Sequence, residues 1–122
     1  MKSDPLTQTI IKACYQVHEE LGTGFSEKVY ENALIIALND LGFESQQQHP
    51  INVYFRNQIV GEYFADIIVS NTIILELKTV SSLLPEHQAQ LINYLTATNT
   101  QTGLLINFAK KGLEIKRLYP RK

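Results

Sequence analysis

The sequence predicts an α/β fold, a mixed β-sheet flanked by helices in the order α-α-β-β-β-α-β-β. Two observations predict it. Apolar residues recur at helical spacing before residue 42, whereas strand-like apolar runs fill much of residues 51–80. A third helical segment then separates these runs from a final hairpin. Such a strand–helix–strand passage favours a mixed sheet with helices packed on it.

Three segments show helical periodicity, and we expect helices over 5–21, 26–41 and 85–97. Asp4 followed by Pro5 is typical of an N-cap and a first helical position. The apolar stripe of the first helix consists of Leu6, Ile10, Cys14, Val17 and Leu21. Since Cys14 lies in the middle of this stripe, we interpret it as a core residue and not as a nucleophile.

Strands are expected around residues 51–55, 59–69, 72–80, 103–108 and 113–119. The Ser70-Asn71 pair joins two of them in a short turn, and Lys110-Lys111-Gly112 turns the final hairpin.

Composition places the chain among ordinary globular proteins. Its 122 residues suggest a single domain over 1–122, with 44% hydrophobic and 19% charged residues. No apolar run is long enough to span a bilayer, so we expect no membrane association. The lone Cys14 cannot form an internal disulfide, which favours a cytoplasmic protein.

The charge is unevenly spread along the chain. Residues 110–122 contain six lysines and arginines against one glutamate, a net charge of +5, so the remainder carries −6 of the total −1. This basic segment either contacts phosphates or protects an edge strand by its charge. We weigh the two interpretations equally.

Three charged residues interrupt the apolar strands, namely Asp66, Glu76 and Lys78. Alternating side chains along a strand point Glu76 and Lys78 the same way, and Asp66 on the neighbouring strand can reach the same place. Charges inside apolar strands are costly unless they pair or bind something. Two acids that hold a divalent cation beside a lysine form a phosphodiester-cleaving site. The alternative is an ion pair at a sheet edge.

Magnesium is the metal that this donor set suggests, because it prefers hard oxygen ligands. Asp66 and Glu76 would supply carboxylate oxygens, and the backbone carbonyl of Leu77 a third ligand. Mn²⁺ is a substitute for Mg²⁺. Lys78 would orient the attacking water or neutralise charge on the phosphate. Glu27 borders the apolar stripe of the second helix, where it either joins the metal site or stabilises the helix N-terminus.

The third helix carries polar side chains on the face that borders its apolar stripe. Gln90 and Tyr94 are one turn apart, and His87 lies three residues before Gln90. Gln90 would hold a water or a phosphate oxygen. His87 is either a proton shuttle or an exposed first-turn residue. His18 and His49 lack partners at metal-ligand spacing, so we interpret both as structural.

Two groups of motifs resemble known families. The segment Gly24-Phe25-Ser26-Glu27-Lys28-Val29-Tyr30 resembles the pattern that names the GxxExxY proteins. Asp66, Glu76-Leu77-Lys78 and Gln90-Leu91-Ile92-Asn93-Tyr94 resemble the PD-(D/E)XK nuclease superfamily, particularly its RecB-like branch with a QxxxY helix. The residue before Asp66 is Ala65, so the proline of the signature is absent.

This resemblance implies a restriction-endonuclease-like core and a magnesium-dependent active site. It assigns catalytic positions to Glu27, Asp66, Glu76, Lys78 and Gln90, with Tyr94 as an accessory. The implied activity is hydrolysis of phosphodiester bonds in DNA, or in RNA. The alternative is a non-catalytic module on the same fold that binds nucleic acid or protein. A second copy of the chain or a protein partner would supply sequence specificity.

Overall fold

The computed structural model describes residues 4–122. Its elements follow the expected order. They are α1 (Pro5–Leu21), α2 (Glu27–Asp40), β1 (Ser45–Phe55), β2 (Gln58–Val69), β3 (Ile73–Lys78), α3 (Pro85–Thr98), β4 (Thr102–Ala109) and β5 (Gly112–Leu118).

The five strands form one sheet in the order β1-β2-β3-β4-β5. Strands β3 and β4 run parallel because α3 connects them, whereas the other neighbours are antiparallel. The mixed sheet predicted from the sequence is therefore confirmed. No helix within residues 4–122 is both long and apolar enough to cross a bilayer.

Helices cover both faces of the sheet and create two cores. On one face, α1 and α2 bury a large cluster that includes Ile10, Leu34 and Leu75. On the other face, α3 places Leu91 and Leu95 over a smaller cluster. Cys14 belongs to the larger cluster, and burial raises the pKa of its thiol to about 12, as befits a core residue.

The first strand begins at Ser45, earlier than the predicted start at residue 51. Residues 45–49 are polar on both faces, so they show no apolar alternation from which a strand could be predicted. As the edge strand, β1 pairs only with β2, and polar residues are tolerated there.

On the N-terminal side of Ile67, β2 no longer pairs with β3. There the β1–β2 hairpin continues as a two-stranded arm. Its pairing continues to Phe55 and Gln58, while β2 pairs with β3 only over 67–69. Large apolar side chains on this arm are about half exposed or more, namely Tyr54, Phe55, Ile59, Val60, Tyr63 and Phe64.

Candidate active site

Asp66 and Glu76 lie opposite each other where β2 and β3 stop pairing. The backbone register ends at the Ile67–Leu75 pair, and each of these residues is adjacent in the chain to one of the acids. At this point the carboxylates of Asp66 and Glu76 take the place of backbone carbonyls as hydrogen-bond acceptors for the facing strand. The Asp66 amide donates to Glu76 Oε2 at 2.8 Å, and the Leu77 amide donates to Asp66 Oδ2 at 2.8 Å. The two acids predicted to share a site are thus brought together.

The environment of this pair disfavours negative charge. Burial, followed by the nearby Asp66 carboxylate, raises the pKa of Glu76 to about 8. Burial also raises the pKa of Asp66, although the Leu77 amide opposes the shift. Two adjacent acids with raised pKa values lack enough positive charge around them, a deficit that a bound cation would remove.

Lys78 occupies the end of β3, two residues beyond Glu76, and its side chain is partly buried. Its charge lowers the pKa of both acids, so it lies within electrostatic range of them. Among the residues that the structure describes, Lys78 forms no salt bridge. Its ammonium group is therefore available to a ligand.

Asn107, on β4, fixes the chain where it leaves β3. The Val80 amide donates to Asn107 Oδ1 at 2.9 Å, while Asn107 Nδ2 donates to the Val80 carbonyl at 2.9 Å and to Glu114 Oε1 at 2.8 Å. Asn107 is fully buried, so these bonds satisfy a costly polar group. Asn107 was not predicted from the sequence, where its only signal is an amide inside an apolar strand.

On α2, the structure buries Glu31 and leaves Glu27 exposed. Both charges raise the pKa of Asp66, but Glu31 contributes the larger effect. Glu31 follows Glu27 by one helical turn and shares its face, so the argument applied to Glu27 would also have found Glu31. Glu27 is the first residue of the helix, in the first turn.

Two consecutive glutamines of β1 hold the carboxylate of Glu31. Gln47 Nε2 donates to Glu31 Oε2 at 2.8 Å, and Gln48 Nε2 donates to Oε1 at 3.2 Å. Neighbouring residues of a regular strand point to opposite faces. Gln48 has a φ of 54°, a left-handed conformation that is uncommon for a residue other than glycine and interrupts this alternation. Lys28 also binds Glu31, at 3.1 Å.

On α3, Tyr94 is buried and lies near the acid pair. Burial, then the charges of Glu76 and Asp66, raises the pKa of its phenol. Gln90, one turn earlier, is exposed, and its side chain lies close enough to Tyr94 to lower the pKa of that phenol slightly. The ring of Tyr63 packs against Tyr94 with a centroid separation of 5.7 Å. The structure thus brings the Gln90 and Tyr94 pair to the edge of the site.

The histidines occupy local structural positions. His87 Nδ1 accepts from the Leu84 amide at 3.0 Å, a bond that caps the start of α3. His49 contacts Gln46 at 3.3 Å, and His18 packs near Phe108 with ring centroids 6.4 Å apart.

The donors present suit a hard divalent cation. Two carboxylates face each other, and the Leu77 backbone runs between them and Lys78. Within residues 4–122, no three Asp, Glu, His or Cys side chains form a ready-made metal cage. A cation here would therefore take its remaining ligands from water, from substrate or from the backbone, as Mg²⁺ commonly does.

Comparison with known proteins identifies the relationship. The family model of the PD-(D/E)XK nuclease superfamily matches residues 4–118. The crystal structure of SSO0001 aligns with a TM-score of 0.61 and 14% identity over 98% of this chain and 79% of that chain. The crystal structure of an alkaline exonuclease (LHK-Exo) from Laribacter hongkongensis aligns with a TM-score of 0.57 and 14% identity over 99% and 73%. Likeness at this identity concerns the fold. A comparison with curated proteins finds no match. Because the family model spans nearly the whole chain, this chain belongs to the PD-(D/E)XK nuclease superfamily.

Proposed function

We propose that the protein is a metal-dependent nuclease that hydrolyses phosphodiester bonds in DNA, or in RNA. The observation that carries the proposal is the Asp66–Glu76 pair, which is held by backbone amides. Lys78 lies two residues beyond Glu76 and forms no salt bridge with any residue from 4 to 122. A bound Mg²⁺, or Mn²⁺ in its place, would polarise the phosphodiester and lower the pKa of a water.

Each residue of the proposed site has a distinct part. Asp66, Glu76 and the Leu77 carbonyl hold the cation. Lys78 orients the attacking water or offsets charge that develops on the phosphate. Glu31 adds negative charge beside Asp66, and Glu27 stands at the rim.

Gln90 and Tyr94 complete the proposed site from α3. Gln90 is exposed enough to bind a water or a phosphate oxygen, and the phenol of Tyr94 orients it. These roles agree with the QxxxY helix of the RecB-like branch, to which we assign the chain.

We also assign the chain to the GxxExxY group. Gly24 has a φ of 100°, which side chains rarely allow, and the Tyr30 hydroxyl binds the Gly22 carbonyl at 2.7 Å. The first glycine and the last tyrosine of the motif therefore shape the loop before α2, and the glutamate between them begins the helix. We place the protein in the cytoplasm, where its lone cysteine Cys14 stays reduced.

A cleavage assay tests the proposal directly. Labelled single- and double-stranded DNA and RNA are incubated with the protein in Mg²⁺, Mn²⁺ or EDTA. We expect cleavage in either metal, none in EDTA, none with Asp66→Asn and strongly reduced cleavage with Lys78→Ala. Glu62→Gln is the matched control, because Glu62 is an exposed acid on the same strand as Asp66. Cleavage that survives in Asp66→Asn would refute the assigned site.

One observation favours the alternative, a binding module without catalysis. Asp66 and Glu76 each already accept a backbone hydrogen bond, so they are partly satisfied without metal. Nucleic-acid binding without cleavage in any metal would support this alternative. The exposed apolar arm is then the surface to test for contact with a second copy or a protein partner.

A further inference from the structure

A cavity of about 510 Å³ opens at the end of β3 that carries Glu76 and Lys78. Three segments form its walls. They are the α1–α2 loop at Gly24 and Phe25, the β3–α3 segment Thr79–Ser81 and the β4–β5 turn at Lys110 and Lys111, with Phe108 also lining the space. The cavity therefore begins at Thr79, the residue that follows Lys78 in the chain.

Two of these walls are held in place by buried contacts. The Phe25 amide donates to the Tyr30 hydroxyl at 3.4 Å, and the Tyr30 ring stacks on Phe108 with a centroid separation of 4.4 Å. On the other side, Asn107 binds both backbone groups of Val80. The cavity is therefore formed before a ligand arrives, which lowers the entropic cost of binding.

The side chains that line the cavity include two kinds that commonly bind nucleotides, lysines and an aromatic ring. Lys110 and Lys111 are exposed, and neither forms a salt bridge within residues 4–122. Phe25 is 48% exposed, so part of this aromatic residue is available for stacking. Cations that neutralise phosphates and an aromatic ring that stacks on a base are the two elements of single-strand recognition.

We propose that this cavity binds a nucleotide next to the scissile phosphate, with its base on Phe25 and its phosphate on Lys110 and Lys111. The inference rests on the proposed nuclease function and names its substrate class. Inside a duplex, a base is stacked and paired and cannot enter the cavity without an energetic cost. The preferred substrate is consequently a single strand or a frayed end.

Binding in EDTA tests the inference without consuming the probe. The anisotropy of a fluorescein-labelled DNA strand of about 15 nucleotides, a length that spans a typical single-strand site, is compared with that of its duplex. Phe25→Ala should weaken single-strand binding by about tenfold, and duplex binding much less. Phe25→Leu, which keeps an apolar side chain, should weaken it similarly and guards against a folding defect.

Substitution of the two lysines should change a different quantity, the dependence of binding affinity on salt. Lys110→Ala and Lys111→Ala should each reduce the slope of log affinity against log salt by roughly 0.7 for the single strand. Lys116→Ala and Phe55→Ala are matched controls, because both residues are exposed but lie outside the cavity. Neither should change single-strand binding.

The outcomes separate this inference from the function on which it rests. Unchanged binding in Phe25→Ala, or equal weakening of strand and duplex, overturns the cavity assignment while cleavage by the native protein still stands. Salt slopes that are unchanged in both lysine variants also overturn it. If the native protein binds neither probe and cleaves nothing in Mg²⁺, the inference and the proposed function fail together.

Discussion

Asp66 and Glu76 are each anchored to the strand that carries the other. The Asp66 amide donates to the Glu76 carboxylate, and the Asp66 carboxylate accepts from the amide of Leu77, which adjoins Glu76. These reciprocal bonds orient both acids before any metal binds. Substitutions of these acids and of the residues around them should therefore change stability, cleavage or metal affinity in ways that can be measured.

Replacing Glu76 by Gln should stabilise the metal-free protein at neutral and alkaline pH. Burial raises the pKa of Glu76 from an ordinary value of 4.5 to about 8 in the folded state, so the folded protein holds this proton more tightly than the unfolded chain. The stabilisation of the folded state by this tighter proton binding is fully present below pH 4.5 and is lost as the pH rises through about 8. Thermal unfolding in EDTA should show native stability falling relative to Glu76→Gln across this window. Parallel curves for the two proteins would contradict the prediction.

Replacing Lys78 by Ala should lower cleavage by about 100-fold or more, because a charge that stabilises the transition state is lost. The melting temperature should change little, since Lys78 forms no salt bridge within residues 4–122. Lys78→Arg keeps the charge and should retain more activity than Lys78→Ala. A large loss of stability in Lys78→Ala would indicate a structural role instead.

Glu31 and Glu27 should respond differently to substitution. Glu31→Ala removes the charged acceptor of the Gln47 and Gln48 amides, and we expect a loss of about 1 kcal/mol in the free energy of unfolding, because both glutamines are exposed to water and Gln47 also binds Asn32. Glu27→Ala should have little effect, because Glu27 is exposed. In Mn²⁺ titration calorimetry, Glu31→Gln should weaken binding more than Glu27→Gln. The reverse order would make Glu27 the more important helix acid.

Gln90→Ala should lower turnover while leaving Mn²⁺ affinity nearly unchanged. In the proposed site this amide lies on α3 beside Tyr94 and would act on water or phosphate and not on the metal. Gln88→Ala, two residues earlier on the same helix, is the control. Equal effects of the two substitutions on turnover would remove Gln90 from the proposed site.

Asn107→Ala should destabilise the protein by on the order of 2–3 kcal/mol, because both backbone groups of Val80 lose a buried partner. Cleavage should also fall, since the chain just after Lys78 is no longer fixed. Urea unfolding measures the first effect, and the cleavage assay at a temperature where the variant is folded measures the second. Native stability in Asn107→Ala would show that water replaces the amide.

The helices and strands with strong hydrophobic periodicity could be predicted from the sequence. So could the charged residues that interrupt this periodicity. Asp66, Glu76 and Lys78 stood out because charges are rare inside apolar strands, and strand alternation then placed Glu76 and Lys78 together. The start of β1 was missed, because a polar edge strand has no such pattern.

Two contributions to the site depend on tertiary structure that periodicity does not contain. Glu27 and Glu31 share a helix face, so only the position of α2 on the sheet decides which acid is buried. Asn107 binds Val80, which lies 27 residues away in sequence. Its partner follows from the register of the parallel pairing between β3 and β4, in which Lys78 lies opposite Asn107, and hydrophobic periodicity does not reveal that register.

The tight turn between β2 and β3 makes the spacing of the two acids as important as their identity. Ser70 and Asn71 both adopt positive φ, 52° and 56°, and the Thr72 amide closes the turn on the Val69 carbonyl at 3.0 Å. An insertion or deletion of one residue here would slip the register and send Glu76 to the opposite face from Asp66. At the other end of β2, the turn at Arg56 and Asn57 lies far from both acids and should tolerate changes in length.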